Sequence, residues 1–154
     1  MPRTRGEWLL YDAGVLIGAL LSDDPRHAEA RPLVEAARLG EIKVCVTAGI
    51  LSEVYAALTW SGACPPHSPE EAANAVRSLI EPPSAIRVIE ENRSVVLKAV
   101  ELAASHNLTA RRIHDARHAA AALNRGVHGV YTYDVDDWAV FASDGISIVG
   151  PRSE

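Results

Sequence analysis

Five short apolar runs constrain the fold of this chain more than any other feature. Each run is rich in β-branched or aromatic residues and is apolar along nearly its whole length, which is typical of a strand buried on both faces of a sheet. The runs cover residues 8–11, 42–46, 86–89, 129–133 and 146–149. We therefore predict a central parallel sheet of about five strands.

Amphipathic segments separate these runs and predict helices that cover the sheet. Thr47 and Ser68 are suitable N-caps, and Gly40 and Gly126 are suitable C-terminal stops. The predicted helices run from about 26 to 39, from 48 to about 62, from 69 onward, from 93 to 105 and from 115 to 124. Alternating strands and helices predict a three-layer α/β/α sandwich, and the length fits a single domain over residues 1–154.

Composition limits the classes of protein that remain. Apolar residues make up 48% of the 154 residues and charged residues 23%, which excludes wholesale disorder. The two cysteines, Cys45 and Cys64, cannot form a disulfide framework or a cysteine zinc site, so we expect a cytoplasmic protein with reduced thiols. No run reaches ~18 apolar residues, so we expect no membrane span.

Four acidic residues occupy positions at which a ligand site is expected. Asp12 follows the first predicted strand and Asp134 the fourth, and ligands of open α/β sheets bind beyond the carboxyl ends of strands. Thr132 would point the same way as Asp134 if the strand extends that far. Glu53 lies beside the apolar stripe of its helix, and Asp115 lies at the edge of an Ala-rich helix face.

Each acid also has a simpler interpretation when it is taken alone. Asp12 could cap the helix that follows it, Asp115 could be an ordinary acid of a first helical turn, and Glu53 could be a surface acid. Asp134 stands in an acidic run that is typical of a loop. A cluster of all four would repel itself unless a hard divalent cation such as Mg²⁺ were bound. Such a site could activate a water and neutralise charge on a phosphate in an in-line displacement.

The order of these acids resembles that of the PIN-domain family, and within it the VapC-type toxins of prokaryotic toxin–antitoxin pairs. The resemblance covers about residues 8–150. Four segments carry it: YDAGVLI (11–17), LSEV (51–54), HDARHAAAAL (114–123) and VYTYDVDDW (130–138). Two positions depart from the family pattern. Gly14 stands where a hydroxyl or amide side chain is usual, and Trp138 replaces a common Phe.

The resemblance implies a metal-dependent endoribonuclease. Asp12, Glu53, Asp115 and Asp134 would form a catalytic site for Mg²⁺ or Mn²⁺. Thr132 would support it by a hydroxyl hydrogen bond, and Asp137 would be an outer metal contact or only the start of the next turn. The resemblance further implies an RNA substrate, a homodimer and a cognate VapB-like antitoxin protein.

A net charge of −5 argues against a broad basic surface, so RNA binding needs local cations. We predict phosphate contacts from Arg112 and Arg117, which flank Asp115. Arg117 could instead be solvated or pair with another subunit. For His118 we expect a packing role.

Other classes of protein remain as alternatives. A receiver-like phosphotransfer domain needs a Lys in a late loop, but the chain contains only Lys43 and Lys98. A PIN-like domain that has lost activity and serves as a binding module is compatible with Gly14.

If the acids converge without cationic partners, Asp12→Asn and Asp134→Asn should leave the fold as stable or more so, because repulsion is relieved.

Overall fold

All five predicted strands form, and they pair in one parallel sheet. The computed structural model describes residues 6–151, and the sheet has the strand order β3-β2-β1-β4-β5. The strands are β1 (Leu9–Tyr11), β2 (Val44–Thr47), β3 (Arg87–Ile89), β4 (Gly129–Tyr131) and β5 (Ser147–Gly150). Helices cover this sheet, so the predicted α/β/α class is confirmed.

The centre of the sheet brings the first and fourth strands together. β1 pairs with both β2 and β4, and Tyr11 is opposite Tyr131. The residues that follow these two positions, Asp12 and Thr132, therefore leave the sheet side by side. β4 ends two residues earlier than predicted, where its register with β5 shifts. Asp134 is thus outside the strand, and strand alternation does not set its direction.

Seven α-helices form within the described residues. They are α1 (Ala13–Leu20), α2 (His27–Arg38), α3 (Ala48–Thr59), α4 (Pro69–Ile80), α5 (Arg93–Ser105), α6 (Ile113–Asn124) and α7 (Val135–Trp138). The acidic run after Asp134 is not a loop: it forms α7 and continues into a 3₁₀ turn, Ala139–Asp144. The buried Trp138 and Phe141 fix this segment against the core, which its acidic residues alone do not indicate.

The four capping and stop residues that the sequence predicts all lie at helix ends in the structure. The Thr47 hydroxyl accepts the N–H of Ile50 at 3.0 Å and caps α3. Ser68 and Glu71 form a reciprocal capping box at α4, with both hydrogen bonds 3.1 Å long. Gly40 and Gly126 adopt positive φ angles of 78° and 70°, as C-terminal stops require.

The core lies on both sides of the sheet. Leu10, Val46 and Val130 are fully buried in the central strands. The alanines of α6 are also buried, and their small side chains let this helix pack closely against its neighbours. Within residues 6–151, no helix combines the length and the apolar character needed to cross a bilayer.

Candidate active site

Asp12 is a buried carboxylate that connects four elements of the fold. Its side chain caps α1, because Oδ1 accepts the N–H of Ala13 at 2.9 Å. Oδ2 accepts the hydroxyl of Thr132 at 2.8 Å and the indole N–H of Trp138 at 3.2 Å. Burial raises the pKa of Asp12 despite these donors. The carboxylate is therefore held in one orientation between the ends of β1 and β4.

Thr132 connects Asp134 to Asp12 by two hydrogen bonds. The Thr132 hydroxyl donates to Asp12, and its oxygen accepts the backbone N–H of Asp134 at 3.0 Å. Asp134 stands at the start of α7, and its exposed side chain makes no capping hydrogen bond with the described residues. Thr132 thus fixes the backbone of Asp134 while the carboxylate faces solvent.

Asp115 lies in the first turn of α6 and is half-buried. Its pKa is raised to about 6, first by burial and then by the negative charge of Asp12. The charges of Asp134 and Asp137 raise this pKa further, and the nearby His118 opposes the shift. These acids are therefore close enough to disfavour one another's ionisation.

Glu53 is connected to the sheet through a buried histidine. Its Oε1 lies 2.9 Å from Nε2 of His118, and Nδ1 of that ring lies 2.9 Å from the Thr47 hydroxyl. The Glu53 side chain is 42% exposed, whereas that of His118 is 1% exposed. A ring protonated on Nε2 donates to Glu53 and accepts from Thr47, which satisfies both nitrogens.

Two contacts in this region lie beyond what the sequence predicted. His118 is buried, as a packing residue would be, but it also orients Glu53. The sequence predicts Trp138 only as a larger apolar anchor in place of Phe, yet its indole N–H donates to Asp12, which a Phe cannot do. The residue types themselves indicate such contacts, because the nitrogens of buried indole and imidazole rings usually have hydrogen-bond partners.

The two arginines predicted to contact RNA both have protein partners. Arg117 donates through Nε and Nη2 to Glu91 Oε2, at 3.1 and 2.7 Å. Its Nη1 lies 2.9 Å from His114 Nδ1. Arg112 donates through Nη2 to the backbone carbonyl of Asp137 at 2.9 Å. Both guanidinium groups are therefore oriented by the protein itself, Arg112 by Asp137 and Arg117 by Glu91 and His114.

The oxygen donors of this region suit a hard divalent cation. Asp12, Asp115 and Asp134 are electrostatically coupled, and the bonds given to Asp12 come from neutral donors. In the described part of the chain, however, no three His, Cys, Asp or Glu side chains converge as a ready ligand set. Mg²⁺ commonly uses one or two carboxylates and keeps several waters, so the donors present fit such an ion.

Comparison with known families gives the class of this fold and site. The PIN-domain family model matches residues 9–142, and the chain belongs to the PIN-domain family. The predicted membership is confirmed. A search of curated proteins finds no match.

Solved structures with the same fold include toxins of toxin–antitoxin systems. VapC20 of Mycobacterium tuberculosis, described as a sarcin–ricin loop cleaving toxin, has a TM-score of 0.70 and 21% identity, over 93% of this chain and 99% of that one. A toxin–antitoxin complex from Klebsiella pneumoniae has a TM-score of 0.62 and 20% identity, over 95% and 99%. VapBC2 of Rickettsia felis, bound to a promoter DNA fragment, has a TM-score of 0.62 and 11% identity, over 92% and 96%.

The hydrogen bonds of Asp12 change the expectation for its amide variant. In Asp12→Asn, the amide NH₂ would face the indole N–H of Trp138 or the N–H of Ala13, so a donor would lose its acceptor. We expect the free energy of unfolding to fall by about 1–3 kcal/mol. Asp134→Asn breaks no such contact and should stay within about 0.5 kcal/mol of wild type. Chemical denaturation measures both, and equal stability of the two variants would contradict this role of Asp12.

Asp115 should make stability depend on pH. Its pKa is raised to about 6 in the fold, so the folded state binds the proton more tightly than the unfolded chain does. Without divalent cations, the contribution of Asp115 to the free energy of unfolding should fall as pH rises from about 4 to about 6. Asp115→Asn should remove this contribution, and Asp136→Asn on the exposed side of α7 is the control. Denaturation curves with a chelator test this, and parallel pH profiles for wild type and Asp115→Asn would refute it.

Proposed function

We propose that this chain is a metal-dependent endoribonuclease, the toxin of a toxin–antitoxin pair. The catalytic and metal-binding residues are Asp12, Glu53, Asp115 and Asp134, with Mg²⁺ or Mn²⁺ as the cofactor. Thr132 and Asp137 support them. The observation that carries the proposal is geometric: Thr132 donates to Asp12 and accepts the backbone N–H of Asp134, which holds these two acids together beyond the ends of β1 and β4. Burial and the charges of both acids also raise the pKa of Asp115, and such perturbed groups cluster at functional sites.

A bound divalent cation would lower the pKa of a water and neutralise charge on a phosphate during in-line displacement. The protein's own residues provide the orientation. Asp12 is fixed by Thr132 and Trp138, so it does not reorganise when substrate arrives. Glu53 is held at one oxygen by His118 and leaves the other for a water or a cation. Asp134 offers an exposed carboxylate at the mouth of the site.

The toxin assignment is supported by the relatives of the fold. VapC20 is described as a toxin that cleaves the sarcin–ricin loop, and the Klebsiella pneumoniae structure is a toxin–antitoxin complex. By analogy, we assign this chain an RNA substrate, a VapB-like antitoxin and a homodimeric state, as a single domain in the cytoplasm. Arg112 and Arg117 would contact RNA phosphates by exchanging some of their present bonds for phosphate oxygens.

Incubation with a mixed cellular RNA pool tests this function. We expect discrete cuts with Mg²⁺ or Mn²⁺ and none with chelator. Asp134→Asn should abolish cleavage while the protein stays folded, and Asp136→Asn, which removes the same charge two residues away, should still cut. Sequencing the new ends would identify the substrate.

Failure of a folded wild-type protein to cut RNA with either metal would contradict the proposal. The chain would then be a PIN-like binding module without activity. The first change to test would be the replacement of Gly14 by a residue with the hydroxyl or amide side chain that is usual in the family.

A further inference from the structure

Gly14 leaves a space beside the acids that another side chain fills. Gly14 is the second residue of α1, directly after Asp12 and Ala13. A Cβ atom placed on Gly14 would lie 3.0 Å from Nη1 of Arg26 and 3.5 Å from Cδ2 of Tyr133. The guanidinium of Arg26 therefore occupies the region that a side chain at position 14 would enter.

Arg26 is held firmly in this place. Its Nε and Nη2 donate to the two carboxylate oxygens of Asp24, at 3.0 and 3.1 Å. The guanidinium carbon lies 5.0 Å from the ring centre of Tyr133, at cation–π distance. The Asp24 side chain is 12% exposed and that of Arg26 is 37% exposed. One edge of the guanidinium is thus fixed while the group still reaches solvent.

The charge of Arg26 lies beside the acidic site. The hydrogen bond to Asp24 is the main cause of its raised pKa, and the charge of Asp134 also contributes. Nη1 donates to no acceptor within residues 6–151, whereas Arg112 and Arg117 donate to Asp137 and to Glu91. Arg26 therefore presents an oriented cation with free donors beside Gly14 and Tyr133, and Tyr133 directly precedes Asp134.

We propose that Arg26 is a positioning residue that binds an RNA phosphate next to the cleaved phosphodiester. The proposal rests on the ribonuclease function given above. A planar guanidinium can bind one carboxylate along one edge and still offer the protons of Nη1 to a phosphate oxygen. Its positive charge would also offset the repulsion between the phosphate and Asp134. Gly14 leaves Arg26 this space, because a Cβ at position 14 would lie 3.0 Å from Nη1 and would displace the guanidinium by a few tenths of an ångström.

RNA binding without cleavage tests this role. All proteins carry Glu53→Gln, which keeps an oxygen for His118, and they bind a labelled single-stranded RNA pool in Mg²⁺ at several salt concentrations. We expect Arg26→Gln to weaken binding about tenfold, as for a lost hydrogen bond to a charged group. The slope of log affinity against log salt should decrease by about 0.7, the value for one phosphate contact on a single strand. Arg31→Gln, an exposed charge on α2, should leave both near the background value.

A second variant keeps Arg26 but displaces its guanidinium group. In Gly14→Ala the added methyl group would press on Nη1, and the end of the Arg26 side chain would shift. Alanine fits this helical position, so the fold should be unaffected. We expect a smaller loss of affinity than in Arg26→Gln and no further loss when Gly14→Ala is added to Arg26→Gln, because both changes act on one contact. This variant decides the matter if Arg26→Gln does not fold.

Three results would overturn the assignment. They are RNA binding with wild-type affinity and salt slope by Arg26→Gln, wild-type binding by Gly14→Ala, and absence of RNA binding by the background protein. Lower thermal stability with unchanged RNA affinity would make Arg26–Asp24 a structural ion pair only. Cleavage by the wild-type chain is measured separately. RNA binding that depends on Arg26 without any cleavage would refute the nuclease and keep the phosphate site.

Discussion

The carboxylate of Asp12 is the interaction on which the site depends. Three donors from separate parts of the chain converge on it: Ala13 of α1, Thr132 after β4 and Trp138 of α7. The side chain therefore caps a helix, joins the two central strands at their carboxyl ends and anchors the segment that carries Asp134. The capping interaction uses Oδ1, and the contacts that hold the carboxylate at the candidate site use Oδ2.

Negative charge accumulates around this carboxylate with little compensation from the protein. Burial and the neighbouring acids raise the pKa of Asp115, while the donors to Asp12 are neutral groups. The nearby arginines are engaged elsewhere: Arg117 binds Glu91 and Arg112 binds the Asp137 carbonyl. A divalent cation would relieve this repulsion, and Arg26 beside Gly14 would supply positive charge for a phosphate. Both proposals follow from the same imbalance of charge.

The sequence predicts local features well and long-range side-chain contacts poorly. Apolar runs gave the five strands, and Ser68 and Thr47 marked helix starts, because these signals depend on residues a few positions apart. The helical segment 135–138 carries Trp138, which donates to Asp12, 126 positions away. The contact of His118 with Glu53 spans 65 positions. Sequence periodicity does not reveal such pairs, so the polar contacts of His118, Trp138 and Arg26 are seen only in the three-dimensional structure.

The most direct test of the account is the titration of Asp115 by carboxyl-carbon NMR, with and without Mg²⁺. Without metal, its pKa should lie at about 6, well above that of a free aspartate. Saturating Mg²⁺ should lower this pKa, because a cation near the acids favours the ionised form. An ordinary aspartate pKa without metal would show that the carboxylates do not repel one another. A raised pKa that does not change when Mg²⁺ is added would contradict cation binding at this site.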